Sequence, residues 1–291
     1  MGEPDSAPRA APPAGACDAH VHLFGPLSRY PAATDSPYAV PDATPAQLLE
    51  TQRAAGIARA VVVHAVTSGR DNLRTLDALR DEPERLRGVL TPPLSSPDDA
   101  TLLHWHRLGV RGIRFSYTAT AQAGMRVDPV LAARVSEHGW HAQVHVHDEQ
   151  IVELAACLSA LPGRIVIDHM ARIPAHAGVG GPAFASLLRL LDSGRVWVKL
   201  SAPMRLSAER YPYADVAPMA RALVAHAPER VVWGSDWPNV NFDGALPSYA
   251  ALVALLDSWV PDARLRHRIL VENACALYDF PLPTQRPSSP P

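Results

Sequence analysis

Two histidines separated by one residue, His20 and His22, stand at the end of an apolar run in the segment CDAHVHLFGP. In an extended strand, side chains two residues apart lie on the same face, about 6 to 7 Å apart along the backbone. Two imidazoles in this arrangement suit two ligands of one metal ion or two donors to one substrate oxygen. The spacing therefore predicts a chemical site at the end of the first strand.

The elements that must position this pair follow from short β-branched runs that alternate with longer amphipathic segments. The predicted strands are eight: 17–22, 60–64, 86–90, 112–115, 141–145, 165–169, 196–200 and 230–234. Strands alternating with helices indicate a parallel sheet, and eight such units in 291 residues are typical of a (β/α)8 TIM barrel. A doubly wound open sheet usually has a glycine-rich first turn, and this chain has no G-x-G-x-x-G motif. We predict an α/β fold with a single barrel.

Further ionisable residues fall where the predicted strands end, which is the active-site position of barrel enzymes. Arg114 ends strand four and His145 ends strand five, His169 ends strand six, Arg205 follows strand seven, and Asp236 follows strand eight. The first-strand histidines, together with His145 or His169 and the Asp236 carboxylate, form the nitrogen and oxygen set that zinc or another borderline divalent ion favours. We expect these side chains to share one site.

The composition favours a small molecule as the partner. The formal net charge of -2 provides no basic surface of the kind that nucleic acids or acidic membranes require. No segment reaches the roughly 18 apolar residues needed to span a bilayer. Three cysteines at unrelated spacings do not suggest a disulfide framework. We expect a cytoplasmic protein that binds neither nucleic acid nor membrane, and oligomer formation is left open.

Both ends of the chain are rich in proline. Residues 1–16 contain no continuous apolar core of the kind found in a signal peptide, so they are predicted to form a disordered leader. Residues 281–291 are predicted to form a flexible tail. The barrel domain is expected to occupy residues 17–280.

Five segments together resemble the amidohydrolase superfamily: CDAHVHLFGP, GVRGIRF, VIDHMAR, VWVKLS and VVWGSDWPN. Within that superfamily the chain is most similar to the 2-pyrone-4,6-dicarboxylate lactonase-like branch. The resemblance covers nearly everything but the two tails. It implies a hydrolase that opens a lactone, which is a cyclic carboxylic ester.

The resemblance also implies a role for each matching residue. Asp236 would be the general base for the hydrolytic water, and His20, His22 and His169 would bind the lactone carbonyl. Arg114, Arg205 and Tyr38 would hold substrate carboxylates. The branch lactonase works without a metal, so no cofactor is strictly required. Other members hold a divalent ion, and for a single zinc or manganese ion here the candidate ligands are His20, His22, Asp236 and His145.

The chain departs from the branch pattern at three places. A second arginine is missing after strand four, where this chain reads SYTATAQAG, which argues against a dicarboxylate pyrone as substrate. His145 replaces a tyrosine and Asn239 replaces a histidine, and both are expected to contact substrate. The single lysine, Lys199, lies on strand seven, so a metal pair bridged by a carbamylated strand-four lysine is excluded.

We predict hydrolysis of a carboxylated or otherwise anionic lactone by Asp236-activated water, with a histidine cluster or a histidine-bound ion polarising the carbonyl. One alternative is a metal-dependent decarboxylase of the same superfamily, in which His169 acts as acid and base. A second alternative is a barrel that binds a small anion without catalysis. A serine esterase is not expected, because the chain has no G-x-S-x-G motif.

Overall fold

The computed structural model describes residues 11–117 and 125–283. Eight strands form one parallel sheet in sequence order: β1 (Cys17–Val21), β2 (Arg59–Val63), β3 (Leu86–Leu90), β4 (Val110–Ser116), β5 (His141–His145), β6 (Arg164–Ile167), β7 (Val196–Ser201) and β8 (Val231–Gly234). The predicted (β/α)8 barrel is confirmed. The predicted third and fifth strands match residue for residue, and the sixth ends two residues earlier than predicted.

Helices connect the strands in the order that the sequence predicts: α1 (Pro45–Ala54), α2 (Leu73–Asp81), α3 (Asp99–Leu108), α4 (Pro129–Glu137), α5 (Asp148–Glu153), α6 (Ala155–Ala160), α7 (Pro182–Asp192), α8 (Ala217–His226) and α9 (Tyr249–Trp259). A final helical segment runs from α10 (Ala263–His267) through a π-helical turn (Arg268–Glu272) to α11 (Asn273–Tyr278). Side-chain caps at Asp98, Asp128 and Ser248 begin three of these helices by accepting bonds from their first-turn N–H groups. Within the described part of the chain, no helix is both long enough and apolar enough to cross a bilayer.

The first and last strands meet at a seam that closes the barrel. Beyond β8, Asp236 N–H donates to the His20 carbonyl at 2.9 Å and His22 N–H donates to the Trp237 carbonyl at 2.8 Å. A Cβ atom on Gly234 would lie 2.6 Å from the Cβ of His20, so only glycine permits this approach. The seam therefore brings the two ends of the barrel sequence, and their candidate catalytic residues, side by side.

The chain ends pack against the bottom of the barrel where they are described. Ala16 is fully buried, and its carbonyl accepts bonds from the N–H groups of Ala58 and Arg59 at 2.9 and 3.1 Å. Residues 11–16 of the predicted disordered leader thus form a turn against the protein, and residues 1–10 lie outside the described residues. Residues 284–291 of the predicted tail and residues 118–124 of the SYTATAQAG segment also lie outside the described residues.

Candidate active site

A cavity of about 260 Å³ opens at the carboxyl ends of the strands. Its volume is just below the usual range for drug-sized ligands, which suits a small single-ring molecule. Seven of the predicted site residues line it: His22, Tyr38, Arg114, His145, His169, Arg205 and Asp236. The barrel thus brings together most of the residues that the sequence pointed to.

Three imidazoles converge on one carboxylate oxygen. The Nε2 atoms of His22, His20 and His169 lie 3.4, 3.7 and 3.9 Å from Oδ1 of Asp236. The Nε2 atoms of His20 and His22 are 3.3 Å apart. His20 is fully buried beneath the cavity, whereas His22 reaches its wall. The two histidines therefore point to one place, as the H-x-H spacing predicts.

Two of these residues have unusual backbone conformations. Asp236 has φ of 63° and His169 has φ of 51°, both in the left-handed region that non-glycine residues seldom adopt. The positive values continue from His169 through Arg172, which forms a left-handed turn directly after β6. Such conformations persist only where the surrounding structure enforces them, and they cluster at functional sites. This turn is also the reason that the sixth strand ends before His169.

The burial of the cluster sets its charges. Burial lowers the pKa of His169 to about 3 and holds the pKa of His20 well below its ordinary value, so both rings are neutral at pH 7. Burial alone would raise the pKa of Asp236, but the neighbouring imidazoles, His169 first, and the Arg205 charge outweigh it. The pKa of Asp236 therefore lies well below its ordinary value. The carboxylate of Asp236 is therefore ionised at neutral pH, which is the protonation state in which it can accept a proton.

Hydrogen bonds fix the orientation of the outer rings. Nδ1 of His22 lies 2.7 Å from the Val63 carbonyl, which can only accept, so Nδ1 carries a proton. Nδ1 of His169 is 2.7 Å from Oγ of Ser201 at the end of β7. Both rings are thereby held with Nε2 toward Asp236.

A charged layer lies beneath the cavity, where barrels usually hold aliphatic side chains. Asp168 accepts bonds from Arg114 Nε at 2.9 Å and Gln143 Nε2 at 3.1 Å. The ammonium of Lys199 lies 3.4 Å from the other Asp168 oxygen. Burial works to raise the pKa of Asp168, but Lys199 and then Arg114 hold it well below its ordinary value. Burial lowers the pKa of Lys199 to about 8, so it remains charged at neutral pH.

The two predicted substrate arginines each have a protein partner. Arg114 pairs with Asp168, and Arg205 Nε lies 3.3 Å from Oδ2 of Asp236. Both nevertheless line the cavity, as does Tyr38. They can therefore hold the carboxylates of this chain and face a substrate charge at the same time.

Arg172 is a cavity residue that sequence reasoning missed. It lines the cavity beside Arg205, and its buried Nε atom has no hydrogen-bond partner among the described residues. Burial, then the Arg205 charge, lowers the pKa of its guanidinium. Arg172 is the last residue of the motif VIDHMAR, but it lies three residues beyond the predicted end of β6. The search for ionisable residues at strand ends therefore did not select it. Among the described residues, the cavity thus holds three guanidiniums against the single carboxylate of Asp236.

His145 and Asn239 occupy different positions relative to the cavity. His145 lines it, with its ring centroid 5.4 Å from that of His169, and its buried Nε2 atom has no partner in the described structure. Asn239 is buried and is not part of the lining, whereas Asn241 is. The loop after β8 therefore reaches the cavity through Asn241.

The residues offer a metal site of three ligands. One atom each from His20, His22 and Asp236 lie within 4.8 Å of one another, and His145 is not part of this group. Two nitrogens and one carboxylate oxygen fit zinc or manganese in type. The orientation of His22 also fits, because ligating histidines donate their other N–H to an acceptor. His20 fits when its proton is on Nδ1, where Asp168 Oδ1 lies 3.2 Å away to accept it.

Known proteins resemble this chain over nearly its whole length. The 2-pyrone-4,6-dicarboxylate hydrolase of Comamonas testosteroni is 37% identical over 284 residues, which cover 94% of this chain and 93% of the relative. The 4-sulfomuconolactone hydrolase of Rhizobium radiobacter is 35% identical, covering 91% and 90%. The apo crystal structure of an Agrobacterium tumefaciens protein superposes with a TM-score of 0.83 at 29% identity, covering 95% of this chain and 100% of that one.

The family model described as Amidohydrolase matches residues 17–280, the same span that the sequence motifs indicate. The match includes the histidine pair of β1, the turn after β6 and the aspartate after β8. Together with the barrel and its cluster of histidines around a carboxylate, this shows that the chain belongs to the amidohydrolase family.

Proposed function

We propose that this protein hydrolyses a lactone that carries a carboxylate or a similar anionic group. The observation that carries the proposal is the convergence of three imidazole Nε2 atoms on Oδ1 of Asp236, in a cavity lined by arginines. The two relatives support it, since their names denote hydrolases of ring compounds with a dicarboxylate or a sulfo group.

Asp236 is the general base in this proposal. Its low pKa keeps it ionised, and it faces the cavity in which a water and a lactone would meet. It takes a proton from the water as the oxygen attacks the carbonyl carbon, a contribution typically worth about 10² to 10⁴ in rate. His169 lines the cavity and can donate from Nε2 to the oxyanion that forms, whereas the proton of His22 is held on Nδ1 by Val63. One well-placed donor contributes roughly 3 to 4 kcal/mol.

The tetrahedral intermediate then opens the ring. The bond between the carbonyl carbon and the ring oxygen breaks, and the proton held by Asp236 passes to the departing oxygen. One water is consumed, and the product carries a new carboxylic acid and a hydroxyl or its keto tautomer. The acid then ionises to a carboxylate and releases one proton to the solvent. Asp236 returns to its ionised form, so the cycle needs no oxidant and no covalent enzyme intermediate.

The charge of the cavity selects an anionic substrate. Arg114, Arg172 and Arg205 line it, and Asp236 is the one carboxylate that the described part of the chain places in the lining. Guanidiniums bind carboxylate and sulfonate oxygens in a planar, two-point manner, which also aligns the ring for attack. Arg172 supplies a guanidinium that the SYTATAQAG stretch, residues 116–124, does not, so both singly and doubly charged lactones belong in the substrate class.

If a divalent ion binds, His20, His22 and Asp236 would hold it, and it would supply Lewis-acid polarisation of the substrate carbonyl. Arg114, Arg172 and Arg205 hold the anion, and Ser201 holds the ring of His169.

The proposal is tested with a panel of lactones assayed on protein freed of metal by chelation, and again with added zinc or manganese. The panel contains pyrone dicarboxylate, muconolactones, sugar lactones and a neutral lactone of similar size. We expect hydrolysis of at least one anionic member and weaker hydrolysis of the neutral one. Absence of hydrolysis throughout contradicts the proposal. Lactone hydrolysis by the metal-free protein contradicts the alternative of a metal-dependent decarboxylase.

A further inference from the structure

The single lysine of the chain contacts the buried face of the candidate site. Lys199 lies on β7 and is fully buried inside the barrel. Its Nζ atom has three neighbours: Gln143 Oε1 at 2.8 Å, His20 Nδ1 at 3.2 Å and Asp168 Oδ1 at 3.4 Å. An ammonium group donates and accepts none, so Gln143 Oε1 and His20 Nδ1 each accept a proton, and Asp168 pairs with the ammonium charge.

The bond from Lys199 to His20 decides which nitrogen of His20 carries the proton. If Nδ1 accepts from Lys199, the neutral ring has its proton on Nε2. That proton lies 3.3 Å from His22 Nε2, which has a free lone pair because the proton of His22 is on Nδ1, bonded to Val63. A single chain of hydrogen bonds then runs from Lys199 through both imidazoles to Val63, with every member paired.

The opposite tautomer of His20 brings lone pairs together with no proton between them. With its proton on Nδ1, donated to Asp168 Oδ1 at 3.2 Å, His20 directs a lone pair from Nε2. That lone pair would face the lone pair of His22 Nε2 and the carboxylate of Asp236. Three electron-rich atoms at this separation repel one another unless a cation or an extra proton lies among them. This tautomer is therefore the one that a metal site made of His20, His22 and Asp236 requires.

We propose that Lys199 is a positioning residue that holds His20 with its proton on Nε2. In the free protein the Nε2 proton of His20 is donated to His22, and it turns to the lactone oxygen when substrate is bound. In both states His20 offers no Nε2 lone pair to a divalent cation. The role in stabilising the oxyanion rests on the proposed function. The effect on tautomer and on metal affinity does not, and both can be measured without a substrate.

The first test is NMR of the intact protein with nitrogen-15 in its histidines and its lysine. The chain has 13 histidines, so the His20 signals are assigned by their loss in the His20→Gln variant. A single lysine gives a single Nζ signal, which reports the Lys199 ammonium directly. We expect His20 with a proton on Nε2 and an unprotonated Nδ1. A proton on Nδ1 of His20 in metal-free protein overturns the proposal.

The second test is calorimetric titration with zinc of the chelated wild type, of Lys199→Met and of the double variant Lys199→Met/His20→Gln. Methionine has a similar length but donates nothing, so Nδ1 of His20 is free to donate to Asp168. We expect Lys199→Met to bind zinc at least tenfold more tightly than the wild type, and the double variant to lose this gain. Equal zinc affinity in wild type and in folded Lys199→Met overturns the proposal. If Lys199→Met does not fold, the wild-type NMR result decides.

These outcomes are separable from those of the lactone panel. A protein that hydrolyses no lactone can still show the Nε2 tautomer, which would leave the assignment of Lys199 intact. A protein that hydrolyses lactones but has the Nδ1 tautomer would leave the proposed function intact and remove the role of Lys199.

Discussion

Nε of Arg205 lies 3.3 Å from Oδ2 of Asp236, so the arginine predicted to hold substrate also holds the proposed base. Its two other nitrogens donate to the carbonyls of Val240 at 2.6 Å and Asn241 at 3.1 Å. Arg205→Ala should release Asp236 and the loop after β8. We expect kcat to fall about 100-fold, the scale of a 1 Å misplacement, and KM to rise as well.

Arg205→Lys should not restore this activity, because an ammonium cannot reach the carboxylate and two carbonyls in one plane. Steady-state kinetics on the best anionic lactone measure both variants. The matched control is Arg210→Ala, which removes an exposed arginine nearby and should leave kcat and KM within twofold. Wild-type kcat in Arg205→Ala would show that Arg205 does not position the base.

Arg172→Met tests the charge of the cavity. Methionine keeps much of the buried stem and removes the guanidinium, so the loss should appear in anion binding. We expect KM for anionic lactones to rise about tenfold or more, with KM for a neutral lactone changed less than threefold. Equal effects on charged and neutral substrates would contradict a role in anion recognition.

Asp18→Asn tests the support behind the seam. The buried carboxylate of Asp18 accepts from Ser235 N–H at 2.9 Å, His20 N–H at 3.1 Å and Tyr249 O–H at 2.9 Å. Asparagine replaces one carboxylate oxygen with an NH2 group. That group donates, so it would oppose N–H or O–H groups that now donate to Asp18. We expect the free energy of unfolding in urea to fall by about 2 to 3 kcal/mol, the range for hydrogen bonds to a charged group.

The matched control is Asp279→Asn, which makes the same change in an ion pair with Arg111 whose aspartate side chain is 75% exposed. Its effect should stay within about 1 kcal/mol. Similar losses in the two variants would mean that Asp18 does not support the seam.

The neutrality of His169 can be measured by an NMR titration with carbon-13-labelled histidine. Burial lowers its pKa to about 3, so its signals should not move between pH 8 and pH 5. In the unfolded chain the ring takes up its proton near pH 6.5, so this residue also makes the folded state less stable as the pH falls from about 6.5 toward about 3. The His169→Gln variant assigns the signals. A midpoint between pH 6 and pH 7 would contradict a neutral ring.

The strand positions could be predicted from sequence because β-branched runs and helical periodicity repeat eight times. The motifs at the ends of these strands also predicted the family and the convergence of His20 and His22. The end of β6 was misplaced because His169 and the residues after it adopt positive φ without a glycine to signal it. The same left-handed turn carries Arg172 into the cavity, so the missed arginine and the misplaced strand end have one cause.

The layer under the cavity was also missed, although the alternation of strand residues contains a signal for it. Lys199 and Ser201 are two residues apart on β7, and Ser201 contacts His169. Gln143 and His145 have the same relation on β5, and His145 lines the cavity. Polar residues one step below the strand ends therefore point into the barrel. Their pairing with one another depends on barrel closure, which sequence alone does not provide.

The most direct test of the account is Asp236→Asn, measured for turnover and for binding on the same anionic lactone. The asparagine keeps the shape of the residue but cannot accept a proton from water. We expect kcat to fall about 1,000-fold, with the lactone still bound within tenfold of the wild-type affinity by calorimetry. Turnover within tenfold of the wild type in Asp236→Asn would contradict the claim that Asp236 activates the water.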